Sequence, residues 1–153
     1  MPLDIGNKAP NFSAPSDTGE TYSLKDMKGK KFVLYFYPKD DTSGCTTEAC
    51  GFTENIKTFN KSGVTILGVS KDSLESHKKF RDKYGLKFPL LSDTNGKIYE
   101  AYGTWIEKSM YGKKYIGIDR STFIIGEDGK IIALWRKVKV AGHIEDVLEA
   151  LKN

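Results

Sequence analysis

Cysteine, histidine and arginine are scarce in this 153-residue chain, and each shortage excludes something. The two cysteines, Cys45 and Cys50, and the two histidines, His77 and His143, are too few and too dispersed for a zinc site with four close ligands. Only three of the 24 basic residues are arginine, Arg81, Arg120 and Arg136, so wherever a guanidinium does occur its fork geometry is the first explanation to consider. No apolar run approaches the roughly 20 residues needed to span a bilayer, and none follows the opening "MPLDIGNKAP". The net charge of +4 comes from lysines scattered along the chain, which reads as a solvated basic surface and not as the clustered footprint of a nucleic-acid binder. Repeats, low-complexity tracts and Pro/Gly-rich linkers are also missing, so residues 1–153 are expected to form one domain with a substantial core. The expected compartment is cytoplasmic, where thiols stay reduced and a cysteine pair signals metal or redox chemistry more often than a structural staple. Neither a membrane nor a nucleic acid is expected as a partner.

What is present orders itself along the chain. The first 30 residues read as short strands with a turn at Asp17 to Glu20. "KFVLYFY", Lys31 to Tyr37, is a continuous apolar run stopped by Pro38, as in a strand buried on both faces. A helix is predicted over 46–62, ending at Gly63, with Ala49, Phe52, Ile56 and Phe59 as its apolar stripe. "VTILGVS", from Val64, reads as a second buried strand, and Ser73 to Gly85 as another helix, with His77 at the core's edge beside Phe80 and Tyr84. "FPLLSD" suits a short edge strand beginning at Pro89. A hairpin then turns at Glu127 to Lys130, and "GHIEDVLEALKN" closes the chain as an amphipathic helix opened by His143. This is the element order of an α/β thioredoxin-like fold, a central mixed sheet flanked by helices, with an N-terminal β extension.

The spacing of the cysteines, C-x4-C, fits neither a usual zinc motif nor the C-x-x-C of thiol-disulfide exchange. Cys45 follows Gly44 at the start of the predicted helix, where unpaired backbone N–H groups and the helix dipole favour a thiolate. On the helical wheel it joins the apolar stripe and points inward. Cys50 falls roughly 140° further round and about 7.5 Å along the axis, which puts the two Cα atoms roughly 8.6 Å apart. That exceeds the approximately 7 Å limit for a disulfide, so the pair can react together only if the first turns unwind. Thr46 and Thr47 are poor helix formers, and Gly51 costs about 1 kcal/mol relative to alanine in a helix interior, so the unwinding is plausible. On spacing alone, two reduced cysteines that merely fill space remain an equal alternative.

Pro38, Thr42 and Cys45 form P-x-x-x-T-x-x-C. Thr42 alone reads as a helix cap, but this spacing can also set a hydroxyl and the Gly44 and Cys45 N–H groups around one small substrate oxygen. Arg120, in "GIDRSTFII", shares a strand face with Ile118, Thr122 and Ile124 and needs an anionic partner there: a carboxylate in the ordinary case, a thiolate in the sharper one. Tyr37, Phe88 and Trp105 are candidate pocket walls whose default reading is plain core.

Nearly the whole chain resembles the peroxiredoxin family, specifically the bacterioferritin comigratory protein or peroxiredoxin Q subfamily. The resemblance is carried by "GNKAPNFSAP", "LYFYPKDDTSGCTTEACGF", "GVSKDSLESHKKF", "FPLLSD" and "YGKKYIGIDRSTFII". It implies a peroxidatic Cys45, a resolving Cys50, Thr42 and Arg120 holding and polarising the peroxide, and Pro38 shielding the thiolate. It further implies peroxide as substrate, thioredoxin as reductant with glutaredoxin as the alternative donor, no cofactor, and a monomer. One departure is Ser43, where the subfamily usually has proline, and the loop ahead of Cys45 should be less rigid for it. Two rivals stand beside this reading. A general thiol-disulfide oxidoreductase is disfavoured by C-x4-C, and a non-catalytic basic binding module by the lack of an interleaved aromatic and basic stripe.

Overall fold

The computed structural model describes residues 3–151, and the backbone alone for 105–110 and 113–118. The apolar runs become the middle of one mixed sheet. Strands β3 (Lys31–Phe36) and β4 (Val64–Ser70) are parallel, and β5 (Leu90–Ser92) extends the sheet beside β4 as its short edge. On the other side β8 (Ser121–Ile125) runs antiparallel to β3, and β9 (Ile131–Trp135) closes that edge after the expected hairpin turn.

Alternation along β3 divides the core into two layers, as the pleat requires. Phe32, Leu34 and Phe36 face a cluster with Phe12, Met27, Ile98, Tyr99 and Phe123. Val33 and Tyr35 face Cys45, Phe52, Phe59, Phe80, Ile144 and Val147. The second layer is covered by helices α1 (Ser43–Glu54), α2 (Ile56–Lys61), α3 (Leu74–Tyr84) and α5 (His143–Leu151). The first is covered by the short α4 (Lys97–Ala101), a 3-10 turn at Lys25–Met27 and the N-terminal hairpin of β1 (Ser13–Pro15) and β2 (Thr21–Ser23). Both faces of β3 are therefore filled, which is why its sequence carries no polar alternation.

The single helix expected over 46–62 is two helices. It starts three residues earlier, at Ser43, and breaks at Asn55, whose Nδ2 donates to the Gly51 carbonyl at 2.9 Å. This side-chain bond competes with helix continuation, and Ile56 is only half-buried beyond the break. Residues 94–118 hold elements not foreseen: α4 and an antiparallel hairpin of β6 (Trp105–Met110) and β7 (Lys113–Ile118). Arg120 therefore lies between two strands, after β7 and before β8, and not within one continuous strand with Ile118.

All three arginines are used as forks. Arg81 bonds the Asp17 carboxylate and the Leu86 and Phe88 carbonyls, which fastens the N-terminal hairpin to α3 and the approach to β5. Arg136 donates to the Gly103 and Tyr102 carbonyls at 3.2 and 3.3 Å. The third fork belongs to the site. Phe36 at the end of β3 stands opposite Ser121 at the start of β8, so the chain leaving β3 for Cys45 and the chain arriving from Arg120 meet at one end of the sheet's central strands.

Candidate active site

Helix α1 begins with Thr42 as its N-cap residue in extended conformation, and the first intrahelical bond runs from Thr46 N to Thr42 O at 2.8 Å. Ser43, Gly44 and Cys45 are the first three helical residues, so their N–H groups have no helix carbonyl to donate to and the positive end of the dipole lies at the thiol. The Cys45 side chain is turned inward and buried, as the wheel predicted. The Thr42 side chain makes no capping bond. Its hydroxyl donates to the Lys39 carbonyl at 3.0 Å, which leaves the oxygen's lone pairs to accept. Pro38 and Thr42 are both exposed, on the loop joining β3 to α1.

Arg120 Nη2 donates to Cys45 Sγ at 3.2 Å, and Nη1 donates to Glu48 Oε1 at 2.7 Å. Both kinds of partner weighed for this arginine, a cysteine sulfur and a carboxyl group, lie within its reach and share one guanidinium. Gly44 permits the approach, since a Cβ there would lie 3.2 Å from Arg120 Nη2. The Arg120 backbone is fixed independently, its carbonyl accepting from Val138 N at 2.9 Å.

Glu48 went unforeseen. It stands three residues after Cys45, hence on the same face of α1, and its side chain is fully buried. A carboxylate in an apolar stripe was the available signal, because such a group needs a cation. Burial raises the Glu48 carboxyl from 4.5 to about 7, against the opposing pull of Arg120. Its Oε2 and the Tyr35 hydroxyl are the buried side-chain oxygens left without a hydrogen-bond partner among the described residues. Burial lifts the Tyr35 phenol well above its usual range, with the charges of Glu48 and Cys45 pushing the same way, so it stays protonated.

Cys50 lies on the other side of α1, half-buried and free, beside a cavity of about 440 Å³ lined by Thr46, Thr47, Val140, Ile144 and Glu145. Burial and the Glu54 charge raise its thiol, so it is protonated at neutral pH. The two cysteines sit in one unbroken stretch of helix, both reduced. Two features weaken its first turns: Thr47 Oγ1 donates back to the Ser43 carbonyl at 3.0 Å, and Ser43 has no proline ring to rigidify the entry. Gly51 also has a packing reason, since a Cβ there would meet Ile144 Cγ1 at 2.8 Å.

His77 is not at the core's edge. It is fully buried, with one ring nitrogen on Asp40 and the other on the Leu91 carbonyl. His143 is buried too, with Nε2 2.7 Å from Thr122 Oγ1, and burial, aided by Arg120, lowers it to about 4. Tyr37 and Phe88 are core residues, and the Trp105 side chain lies outside the described residues. Asp40, Asp72 and His77 bring ligand-type atoms within 4.8 Å of one another, the spacing of a cation site. The oxygens involved already accept hydrogen bonds from Tyr37, Ser70, Ser76 and the Asp40 N–H.

A buried cysteine at a helix N-terminus, held by an arginine at the end of a thioredoxin-like sheet, defines a thiol-based redox site. Residues 5–134 match the AhpC/TSA family. The chain is 50% identical to the peroxiredoxin Bcp of Bacillus subtilis over 153 residues, covering all of this chain and 98% of that one. Among solved structures, peroxiredoxin Q of Xanthomonas campestris superposes with a TM-score of 0.91 at 44% identity, covering 98% of this chain and 95% of that one. A second structure, a Xanthomonas campestris bacterioferritin comigratory protein described for its alkyl peroxide reduction activity, matches at 43% identity and a TM-score of 0.91, over 98% and 96% of the two chains. The chain belongs to the AhpC/TSA family as a peroxiredoxin of the bacterioferritin comigratory protein type, an oxidoreductase that reduces peroxides with a thiol.

Proposed function

We propose that Cys45 is the attacking thiol, Cys50 its resolving partner, and hydrogen peroxide and alkyl hydroperoxides the substrates. The observation that carries this reading is the contact of Arg120 Nη2 with the buried Cys45 Sγ at 3.2 Å. The Cys45 thiolate attacks the terminal oxygen of ROOH, an S–O bond forms as the O–O bond breaks, and the sulfur becomes a sulfenic acid while the alkoxide leaves, takes a proton and departs as ROH. Arg120 and the N–H groups of the first turn stabilise the charge spread across the breaking bond. Thr42, its own hydrogen engaged by Lys39, is set to accept the peroxide O–H, and Pro38 limits solvent at the mouth of the site.

The first turns of α1 then open, and the Cys50 thiol attacks the sulfenic sulfur, forming the Cys45–Cys50 disulfide and releasing water. A dithiol protein of the thioredoxin type restores both thiols by exchange, with a glutaredoxin as the alternative donor. The groove beside Cys50 gives that donor a point of access. We place this chemistry in the cytoplasm, in a single domain acting as a monomer, without cofactor, nucleic acid or membrane. Cys45→Ser should abolish turnover. Cys50→Ser should still consume one equivalent of peroxide, accumulate a sulfenic acid and lose most recycling by thioredoxin. Full turnover by Cys45→Ser would overturn the assignment.

A further inference from the structure

Asp40, five residues ahead of Cys45, is buried in a network that no step above uses. Its Oδ1 accepts from the Tyr37 hydroxyl at 2.5 Å, its Oδ2 from the Ser76 hydroxyl at 2.8 Å, and His77 Nδ1 lies 2.7 Å from Oδ2. The other ring nitrogen, Nε2, is 2.9 Å from the Leu91 carbonyl, which can only accept, so Nε2 carries a hydrogen. Asp40 Oδ2 is the acceptor that faces Nδ1, so Nδ1 donates there, and the bonded pair lies away from solvent. Burial alone would lower the imidazole, but the Asp40 bond and charge, with Asp72 nearby, raise it above 6.5.

The neighbouring backbone is held in the same way. Asp40 N–H donates to Asp72 Oδ2 at 2.8 Å, and that oxygen also accepts from Ser70 at 2.6 Å. Asp41 adopts a left-handed φ of 57°, and its exposed carboxylate takes Tyr84 OH at 2.7 Å and Lys83 Nζ at 2.9 Å. Two successive residues are thus fastened to α3, and the next residue is Thr42, the start of α1. Ser43 supplies no rigidity of its own there, so stiffness must come from outside the loop.

We propose that His77 is a positioning residue of the peroxide site: through Asp40 it pins the loop of residues 38–41 to α3 and β5, and so holds Thr42 and the first turn of α1 where the peroxide is bound. This rests on Cys45 being the attacking thiol, and the experiment separates the two claims. Asparagine at 77 can place an amide N–H where Nδ1–H stands, facing Asp40. Glutamine can place one only where Nε2–H stands, facing Leu91.

Stopped-flow rates of Cys45 oxidation by hydrogen peroxide, in a Cys50→Ser background, should stay within about threefold for His77→Asn and fall about tenfold for His77→Gln, the scale of a small misplacement of reacting groups. Alkylation of Cys45 by iodoacetamide, which needs no peroxide orientation, should change less than about twofold in both. Equal peroxide rates in the two variants, or peroxide and alkylation rates falling together with the melting temperature, would overturn the proposal. Should the His77 chains fail to fold, Ser76→Ala removes one bond to Asp40 and should slow the peroxide step about threefold with alkylation unchanged; an unchanged peroxide rate there would overturn it too. Peroxide reduction surviving in Cys45→Ser would instead remove the premise.

Discussion

One guanidinium holds two acids at Cys45. A single ammonium cannot reproduce two diverging donors, so Arg120→Lys should release either Glu48 or Cys45 and slow the peroxide step at least tenfold, as stopped-flow oxidation would show. Gly44→Ala separates activity from stability. The new Cβ crowds Arg120 Nη2 at 3.2 Å, while alanine gains up to about 1 kcal/mol of helix propensity, so the peroxide rate should fall at an unchanged or raised melting temperature. The meeting of Cys45 with Arg120 was legible only in part: the sequence set the thiol at a helix start and asked an anionic partner of the guanidinium, but Arg120 lies between two strands and not on the strand face assumed for it. Glu48 stands in the apolar stripe three residues from Cys45, but a charged residue within a helix is so common that only its burial shows its part. Thr42 was readable as a cap or a substrate ligand; it is the N-cap residue of α1, but its side chain makes no capping bond.

At the scale of elements, α1 carries its two cysteines free within one unbroken helix, and the proposed resolution step requires its first turns to open. Its packing on α5 depends on Gly51, where a Cβ would meet Ile144 Cγ1 at 2.8 Å. Overpacking costs about 1–3 kcal/mol and outweighs the propensity gain of about 1, so Gly51→Ala should lower the denaturation midpoint. The strands β3 and β4 were legible nearly to the residue because burial on both faces leaves an uninterrupted apolar run, and Ser73 and Gly85 marked the ends of α3 as a cap with a side-chain bond and a left-handed glycine. The break at Asn55 was not legible, since one side-chain bond to Gly51 decides it. Nor were α4, five residues and too short for helical periodicity to register, and the β6–β7 hairpin, whose strands carry charged residues and no continuous apolar run.

For the whole molecule, buried titratable groups set opposing slopes of stability with pH. Glu48, raised from 4.5 to about 7, binds its proton more tightly when folded, so its contribution is full below 4.5 and is lost as pH rises through 7. His143, lowered from 6.5 to about 4, contributes above 6.5 and loses that contribution as pH falls through 4. The two nearly cancel between about 4.5 and 6.5. Relative to the parent chain, Glu48→Gln should gain stability with rising pH and His143→Gln should lose it, at up to about 1.4 kcal/mol per pH unit in denaturant titrations. Parallel changes in the two variants would contradict these assignments. The order of elements pointed to the sheet, but its pairing of β3 with β8, which brings Arg120 to the end of β3, is a contact across some 85 residues that no local pattern encodes.

The conformational gate proposed for Cys45 and Cys50 is tested most directly by peptide mapping after one equivalent of hydrogen peroxide. A disulfide joining Cys45 and Cys50 within one chain is the expected product, since only unwinding of the first turns of α1 can bring the sulfurs together. Two free thiols after the peroxide is consumed, or a disulfide formed only between chains, would contradict it.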